Sequence, residues 1–256
     1  MDRNAVEVPG EILARLTRFG RVHLREQVES TNDYAFSLAD SREPALVIAR
    51  RQTRGRGRFR RRWYSDDSSL LFSLLLFPGA EDHPLPAGGL ALLAGLAVSR
   101  GIEDLTGTRP LIRWPNDVML DDRKLCGILC EQRREALVVG IGINVNQASF
   151  PEMDDLAEAG SLRLATNREW ERLELLETIL RRLFAALEQV RRDGLPALMD
   201  EYKSRSAVLH RRVEAKTALR RHIGTVVDID AEGRLVIRRD NGSIVTVNSG
   251  QVRRLR

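Results

Sequence analysis

Three apolar segments follow one another between residues 110 and 145 with only short loops between them: PLIRW (110–114), LCGILCE (125–131) and ALVVGIGINV (136–145). Each is short and rich in aliphatic residues, so each reads as a buried strand. Two more of the kind precede them, PALVIAR (44–50) and SSLLFSLLLF (68–77), the second closed by Pro78 and Gly79. AGGLALLAGLAVSRGI is a small-residue helix able to pack closely on such a sheet. WERLELLETILRRLFAALEQVRRDG is a long amphipathic helix. Its Leu173, Leu176, Leu180, Leu183, Leu187 and Val190 recur at three- and four-residue steps, and Gly194 is its stop signal. This mixture predicts a sizeable α+β domain.

Composition changes near His210. Residues 211–256 read as four or five short strands joined by DAEG and RDNGS turns, the second an Asn-Gly hairpin signal. The expected division is therefore 1–210 for the main domain and 211–256 for a small, β-barrel-like module. That module carries eleven Lys or Arg against five Asp or Glu, while the whole chain has a net charge of only +5. The large domain is thus close to balanced, which argues against a broad nucleic-acid surface.

One island of charge breaks that balance. RQTRGRGRFRRRWYS (51–65) belongs to a run with eight arginines between Arg50 and Arg62 and no carboxylate. Such a density repels itself unless something anionic sits among the side chains. By itself the run is ambiguous between a solvated loop, a nonspecific RNA patch and a pocket for a phosphate-bearing ligand. Gly55 and Gly57 alternate with arginines, so the backbone could approach an anion closely. No segment has the apolar core of a signal peptide, and LPAGGLALLAGLAVS is too short and glycine-rich to span a bilayer. A cytoplasmic protein is expected. Cys126 and Cys130, with no adjacent histidine, read as reduced core thiols rather than zinc ligands.

Other segments narrow the choice. ESTNDYA (29–35) offers hydroxyl and amide groups, although Ser30 or Thr31 could equally be a helix N-cap. RWPNDV (113–118), RKLCGIL (123–129) and GIGINVN (140–146) each put polar residues at a strand end. In this order and spacing, STN, GRGR followed by a tryptophan, WPND, KLCG and GIGINVN resemble the biotin–protein ligase family. The resemblance runs from about Ser30 to the C-terminus, since the basic module looks like that family's SH3-like domain.

The resemblance implies a mixed-sheet catalytic domain of the biotin/lipoate ligase type followed by an SH3-like barrel. It implies ATP and Mg²⁺ as cofactors, biotin as substrate and a biotin carboxyl carrier protein domain, usually that of acetyl-CoA carboxylase, as partner. Lys124 and Arg58 are the implied catalytic residues. Ser30, Thr31, Asn32, Gln52, Arg56, Gly57, Arg58, Lys124 and Gly127 are implied to bind biotin. Arg58, Arg61, Trp63, Arg113, Asn116, Lys124 and Asn144 are implied to bind ATP, and Asp117 a metal. The chemistry suits them: biotin's carboxylate must attack the α-phosphate, one anion approaching another, which fixed cations make possible.

Three departures stand out. Phe59 and Arg60 replace an arginine and a glycine of the family's loop, and Arg113 stands where lysine is common, an exchange that keeps charge but not geometry. About 29 residues precede STN, too few for the winged helix-turn-helix domain of repressor-type members. A short form with no specific DNA target and no membrane association is expected, with room for a homodimer. A lipoate or octanoyl ligase should lack the full arginine–glycine loop and WPND. An RNA-binding module would leave STN, KLCG and GIGINVN without a reason and has few aromatics, 5%, to stack bases.

Overall fold

The computed structural model describes residues 9–78, 87–153 and 156–255, the side chains of Arg60 and Ala87 aside. The charged first residues, Gly79 and the start of the LPAGG stretch lie outside the described residues. In chain order the elements are α1 (Gly10–Leu16), β1 (Arg21–Val28), α2 (Thr31–Ser37), β2 (Ala45–Gln52), β3 (Ser69–Leu76) and α3 (Ala87–Thr106). There follow β4 (Leu111–Arg113), β5 (Asp117–Leu120), β6 (Arg123–Arg133), β7 (Ala136–Asn144), α4 (Leu162–Thr166), α5 (Arg172–Asp193) and α6 (Pro196–Ser204). The last part of the chain gives β8 (Arg212–Lys216), β9 (Arg221–Ile229), β10 (Leu235–Arg238), β11 (Ile244–Val247) and β12 (Gln251–Arg254).

Seven strands form a mixed sheet in the order β1-β2-β3-β7-β6-β5-β4. β1 and β2 run parallel, with α2 in the connection between them, and every other pairing in this sheet is antiparallel. Alternation along the strands separates two faces. Leu70, Phe72 and Leu74 of β3 and Val139, Ile141 and Ile143 of β7 join the main core. Leu71 and Ser73, Gly140 and Gly142 point the other way. α3 packs on the core face and α5 covers α3 from outside, which is why α3 is buried all round from Gly89 to Ser99. Gly101 allows their close approach: a Cβ there would lie 2.7 Å from Ile179 Cγ1. The expected stripe of α5 is seen, with Leu176, Leu180, Leu183 and Val190 buried and Leu173 and Leu187 packed at the margin. Gly194 ends the helix at φ 77°.

β8 to β12 form a second, antiparallel sheet in the order β11-β10-β9-β8-β12. It shares its core with the first. Val213, Val226, Leu235, Ile237 and Val252 belong to the same contiguous cluster as Leu92, Trp114 and Leu198. Trp114 Nε1 donates to the Gly233 carbonyl at 2.8 Å, and the Lys203 ammonium meets Asp228 at 2.7 Å. β1 and β5 went unread in the sequence. β1 lies at a sheet edge with no fully buried residue, and β5 has four residues.

A shared core predicts one cooperative unfolding transition. Leu235→Ala should cost about 2–5 kcal/mol and shift that transition as a unit. Denaturant melts followed by tryptophan fluorescence and by far-UV circular dichroism should coincide; two separated steps, only one of them moved, would contradict a shared core.

Candidate active site

On the face away from α3 and α5 lies a cleft of about 440 Å³. Its floor comes from strand register. Gly142 of β7 pairs with Gly127 of β6, Gly127 pairs with Asp117 of β5, and Asp117 pairs with Arg113 of β4. Two glycines side by side leave a trough between Leu71 on one side and a charged pair on the other. The Trp63 ring lies in it: a Cβ on Gly127 would come 2.7 Å from Trp63 Cζ3, and one on Gly142 would come 2.5 Å from Trp63 Nε1. Only glycine fits at either place. The indole N–H is buried and has no hydrogen-bond partner among the described residues.

At one end Ser30, Thr31, Asn32 and Gln52 present neutral groups. Ser30 caps α2, its Oγ accepting from Asp33 N at 3.4 Å, so the capping role and a place in the cleft wall coexist. Thr31 donates from both N (2.7 Å) and Oγ1 (3.1 Å) to Gln52 Oε1. That fixes the Gln52 amide, whose Nε2 makes no hydrogen bond among the described residues. Asn32 sits over Gly140, where a Cβ would lie 2.0 Å from its Oδ1.

At the other end the groups are charged. Lys124 Nζ lies 2.6 Å from Asp117 Oδ1 and 5.5 Å from the centroid of the Trp63 ring. Arg113 reaches Asp117 Oδ2 at 3.0 Å and Glu158 at 2.6 Å. Burial alone would raise the Asp117 carboxyl, but Lys124 and Arg113 more than offset it and hold it below the usual carboxylate range. Burial likewise works against the Arg113 charge, and its two carboxylates more than restore it. Asn116 donates to the Ile128 carbonyl at 3.0 Å. Asn144 donates to the Gly160 and Lys124 carbonyls at 2.9 and 3.4 Å, bracing the loop that carries Glu158.

The arginine run divides in two. Arg50 pairs with Glu26 and Asp67, Arg51 with Asp67, Arg54 with Glu29, and Arg56 with Asp33 and Glu131. The sequence expectation of a run lacking protein counter-charge thus fails for these four; the carboxylates arrive from distant segments. Arg58 is different. Its guanidinium is half-buried and donates only to neutral acceptors, Asn116 Oδ1 at 3.2 Å and the Gly250 carbonyl at 3.0 Å, and burial lowers its pKa. Arg61 and Arg62 are exposed at the cleft and have no ion-pair partner among the described residues. Gly57 N bonds to Arg61 O at 2.8 Å and Trp63 N to Gly55 O at 2.9 Å, closing the loop on itself. The turn places Phe59 at φ 57°, exposed, where the family pattern has no glycine.

Every residue singled out from the sequence lines this one cleft, Gly57, Arg61 and Gly127 included. The metal assignment does not fit. Both oxygens of Asp117 are taken by cations, and no group of three His, Cys, Asp or Glu that could hold a metal ion occurs among the described residues. Cys126 is buried and Cys130 half-buried on β6; burial pushes both thiols up, Cys130 to about 12, so neither offers a thiolate. Sequence reading missed Asp33, Glu131 and Glu158, the counter-charges, and Gly250 to Arg253, which bring the second sheet to the cleft. No described helix is long and apolar enough to cross a membrane.

Residues 24–147 match the biotin/lipoate A/B protein ligase family, and residues 208–253 match the biotin protein ligase C terminal domain. The biotin–[acetyl-CoA-carboxylase] ligase of Mycobacterium tuberculosis is 34% identical over 240 residues, covering 90% of this chain and 87% of that protein. The bifunctional ligase/repressor BirA of Bacillus subtilis is 31% identical over 254 residues, covering 93% of this chain and 78% of that protein. The solved biotin protein ligase of Aquifex aeolicus in complex with biotin and ATP superimposes with a TM-score of 0.80 at 30% identity, covering 92% of this chain and 99% of that one.

The trough sets a steric test. Gly142→Ala puts a methyl group 2.5 Å from the Trp63 indole nitrogen, so the ring must leave its seat. Trp63 is half-buried, and its emission should move to longer wavelength while far-UV circular dichroism stays the same. Unchanged emission would mean that the ring does not rest on Gly142.

Proposed function

The chain belongs to the biotin protein ligase family and uses ATP to join biotin to protein; we propose that its cleft makes biotinyl-5′-AMP and passes the biotinyl group to one lysine of a biotin carboxyl carrier protein domain. The observation that carries this reading is the division of the cleft. At one end Ser30, Thr31, Asn32 and Gln52 offer neutral donors and acceptors; the other holds Arg58 and Arg61, without carboxylate partners among the described residues, and Lys124 lies between, sharing Asp117 with Arg113. Biotin has a neutral ureido ring at one end and a carboxylate at the other, and ATP is a polyanion.

In this reading Ser30, Thr31, Asn32 and Gln52 meet the ureido ring, where a neutral polar group is told from an apolar one by its hydrogen bonds. The valeryl chain follows the glycine trough beside Trp63, which also borders the adenine. The carboxylate reaches Lys124. An oxygen of that carboxylate attacks the α-phosphorus, the bond from that phosphorus to the bridging oxygen breaks, and pyrophosphate leaves. Lys124, Arg58, Arg61 and Arg113 stabilise the charge of this step, with Asn116 and Asn144 shaping the nucleotide end. A half-buried guanidinium held only by neutral oxygens is poised for an arriving phosphate. The carrier's lysine amine then attacks the acyl carbon and AMP departs. Magnesium belongs with ATP as a counter-ion of the substrate, since the described residues supply no carboxylate set for it.

The second sheet has a part in the same reading. Gly250 holds Arg58, and Gln251 to Arg253 border the cleft, so the basic module covers the nucleotide end and meets an acidic carrier domain. A general RNA patch fits less well, because four of the run's arginines are already neutralised by protein carboxylates.

Lys124→Ala should leave the fold intact and lower biotinyl-adenylate formation by ~10²–10³, as loss of one preorganised donor does. Incubation with biotin, Mg²⁺ and α-labelled ATP reads this directly. A rate within about threefold of wild type would remove Lys124 from the chemistry.

A further inference from the structure

One carboxylate behind the cleft wall holds two of the assigned residues at once. Glu131, on β6 four residues beyond Gly127, accepts at Oε2 from Asn32 Nδ2 at 2.8 Å and from Arg56 Nη2 at 3.0 Å. Its Oε1 accepts from Arg56 Nη1 at 3.2 Å, completing a two-pronged pair with the guanidinium. Asn32 is 3% exposed, and its other amide hydrogen goes to the Leu129 carbonyl at 3.1 Å. Ser73 Oγ donates to Asn32 Oδ1 at 2.7 Å. Turning the Asn32 amide over would set its carbonyl against the Glu131 carboxylate, so Glu131 decides which way that amide faces.

We propose that Glu131 is a positioning residue that links two events of the ligase reaction: it sets the Asn32 amide at biotin's ureido end, and through Arg56 it latches the arginine loop over the bound acyl-adenylate. The inference rests on the assignment of Asn32 to the ureido end. Arg56 then differs in role from Arg58 and Arg61. Its charge is already met by Glu131 and by Asp33 at 2.8 Å, so it fastens the loop rather than binding phosphate. Opening the loop would strip Glu131 of its cation and leave a half-buried carboxylate with one neutral donor, which disfavours the open state. Because one side chain serves both contacts, biotin and loop closure strengthen each other reciprocally. Arg56 keeps its pair with Asp33 when Glu131 is changed, so the loop retains one anchor and the variants should fold.

The test measures two quantities on the full chain: biotin affinity by calorimetry, and residence of biotinyl-adenylate after dilution. Glu131→Ala should weaken biotin about tenfold and shorten residence about tenfold, the size expected for a lost hydrogen bond to a charged group. Glu131→Gln keeps an acceptor for Asn32 but no charge for Arg56. It should hold biotin affinity within about threefold of wild type while residence still falls about tenfold. Arg56→Gln should shorten residence likewise. This split between the two readouts is what a purely structural role would not produce. The proposal is overturned if Glu131→Ala changes neither quantity by more than about twofold, or if the Gln and Ala variants lose biotin affinity equally. Unaltered residence in Arg56→Gln would also overturn it. A wild-type protein that bound ATP but not biotin would overturn the substrate assignment itself, a result distinct from all of these.

Discussion

The register of β6 on β7 is the constraint on which the rest depends. Side chains alternate faces along a strand, so a slip of one residue would exchange core and cleft. In the observed register Cys126 faces Ile143 and Gly127 faces Gly142. Ile128, Ile141 and Ile143 then fall into the core beneath α3, while the glycines open the trough that seats Trp63. The same pairing carries across β5 and β4 to align Gly127, Asp117 and Arg113 in one row. Burial of the aliphatic face fixes the register, and the register places the chemistry.

Charge is the second organising principle. Arg50, Arg51, Arg54 and Arg56, none of them assigned to phosphate, have carboxylate partners. Of those assigned to phosphate, Arg58 has neutral partners and Arg61 has no ion-pair partner among the described residues, whereas Arg113 meets Asp117 and Glu158. Lys124 and Arg113 share Asp117, which holds both cations in place without cancelling either fully. A site arranged this way has its positive charge positioned before an anion arrives, and this is where most of the catalytic advantage of such sites lies. The second sheet takes part through the Gly250 carbonyl that holds Arg58, through Gln251 to Arg253 at the cleft border, and through a core it shares with the first.

Much of this was legible in the sequence, for physical reasons that differ by element. β3 and β7 are continuous apolar runs because they are central strands buried on both sides, β2 is so over its first five residues, β6 keeps an apolar stretch on its core face, and such runs announce themselves. The face of α5 was legible because its leucines repeat at helical spacing. β1 was not, since Arg21, His23, Arg25 and Gln27 interrupt its apolar residues at the sheet edge. The site residues were found through the resemblance of five motifs, and all line one cleft. Their counter-charges were invisible, because Asp33, Glu131 and Glu158 meet Arg56 and Arg113 only after folding. The same blindness lies behind the metal role that the resemblance implied for Asp117, whose two oxygens both meet cations in the fold.

The division of the arginines is the central claim, and one comparison tests it most directly. Calorimetric ATP binding is measured for Arg61→Gln, which removes an unpaired cation, and for Arg51→Gln, which removes one paired with Asp67 at 2.6 Å. The account predicts about tenfold weaker ATP binding in the first and less than about twofold change in the second. Equal weakening in both would mean that the run acts through its summed charge and that the partition into paired and free arginines has no functional meaning.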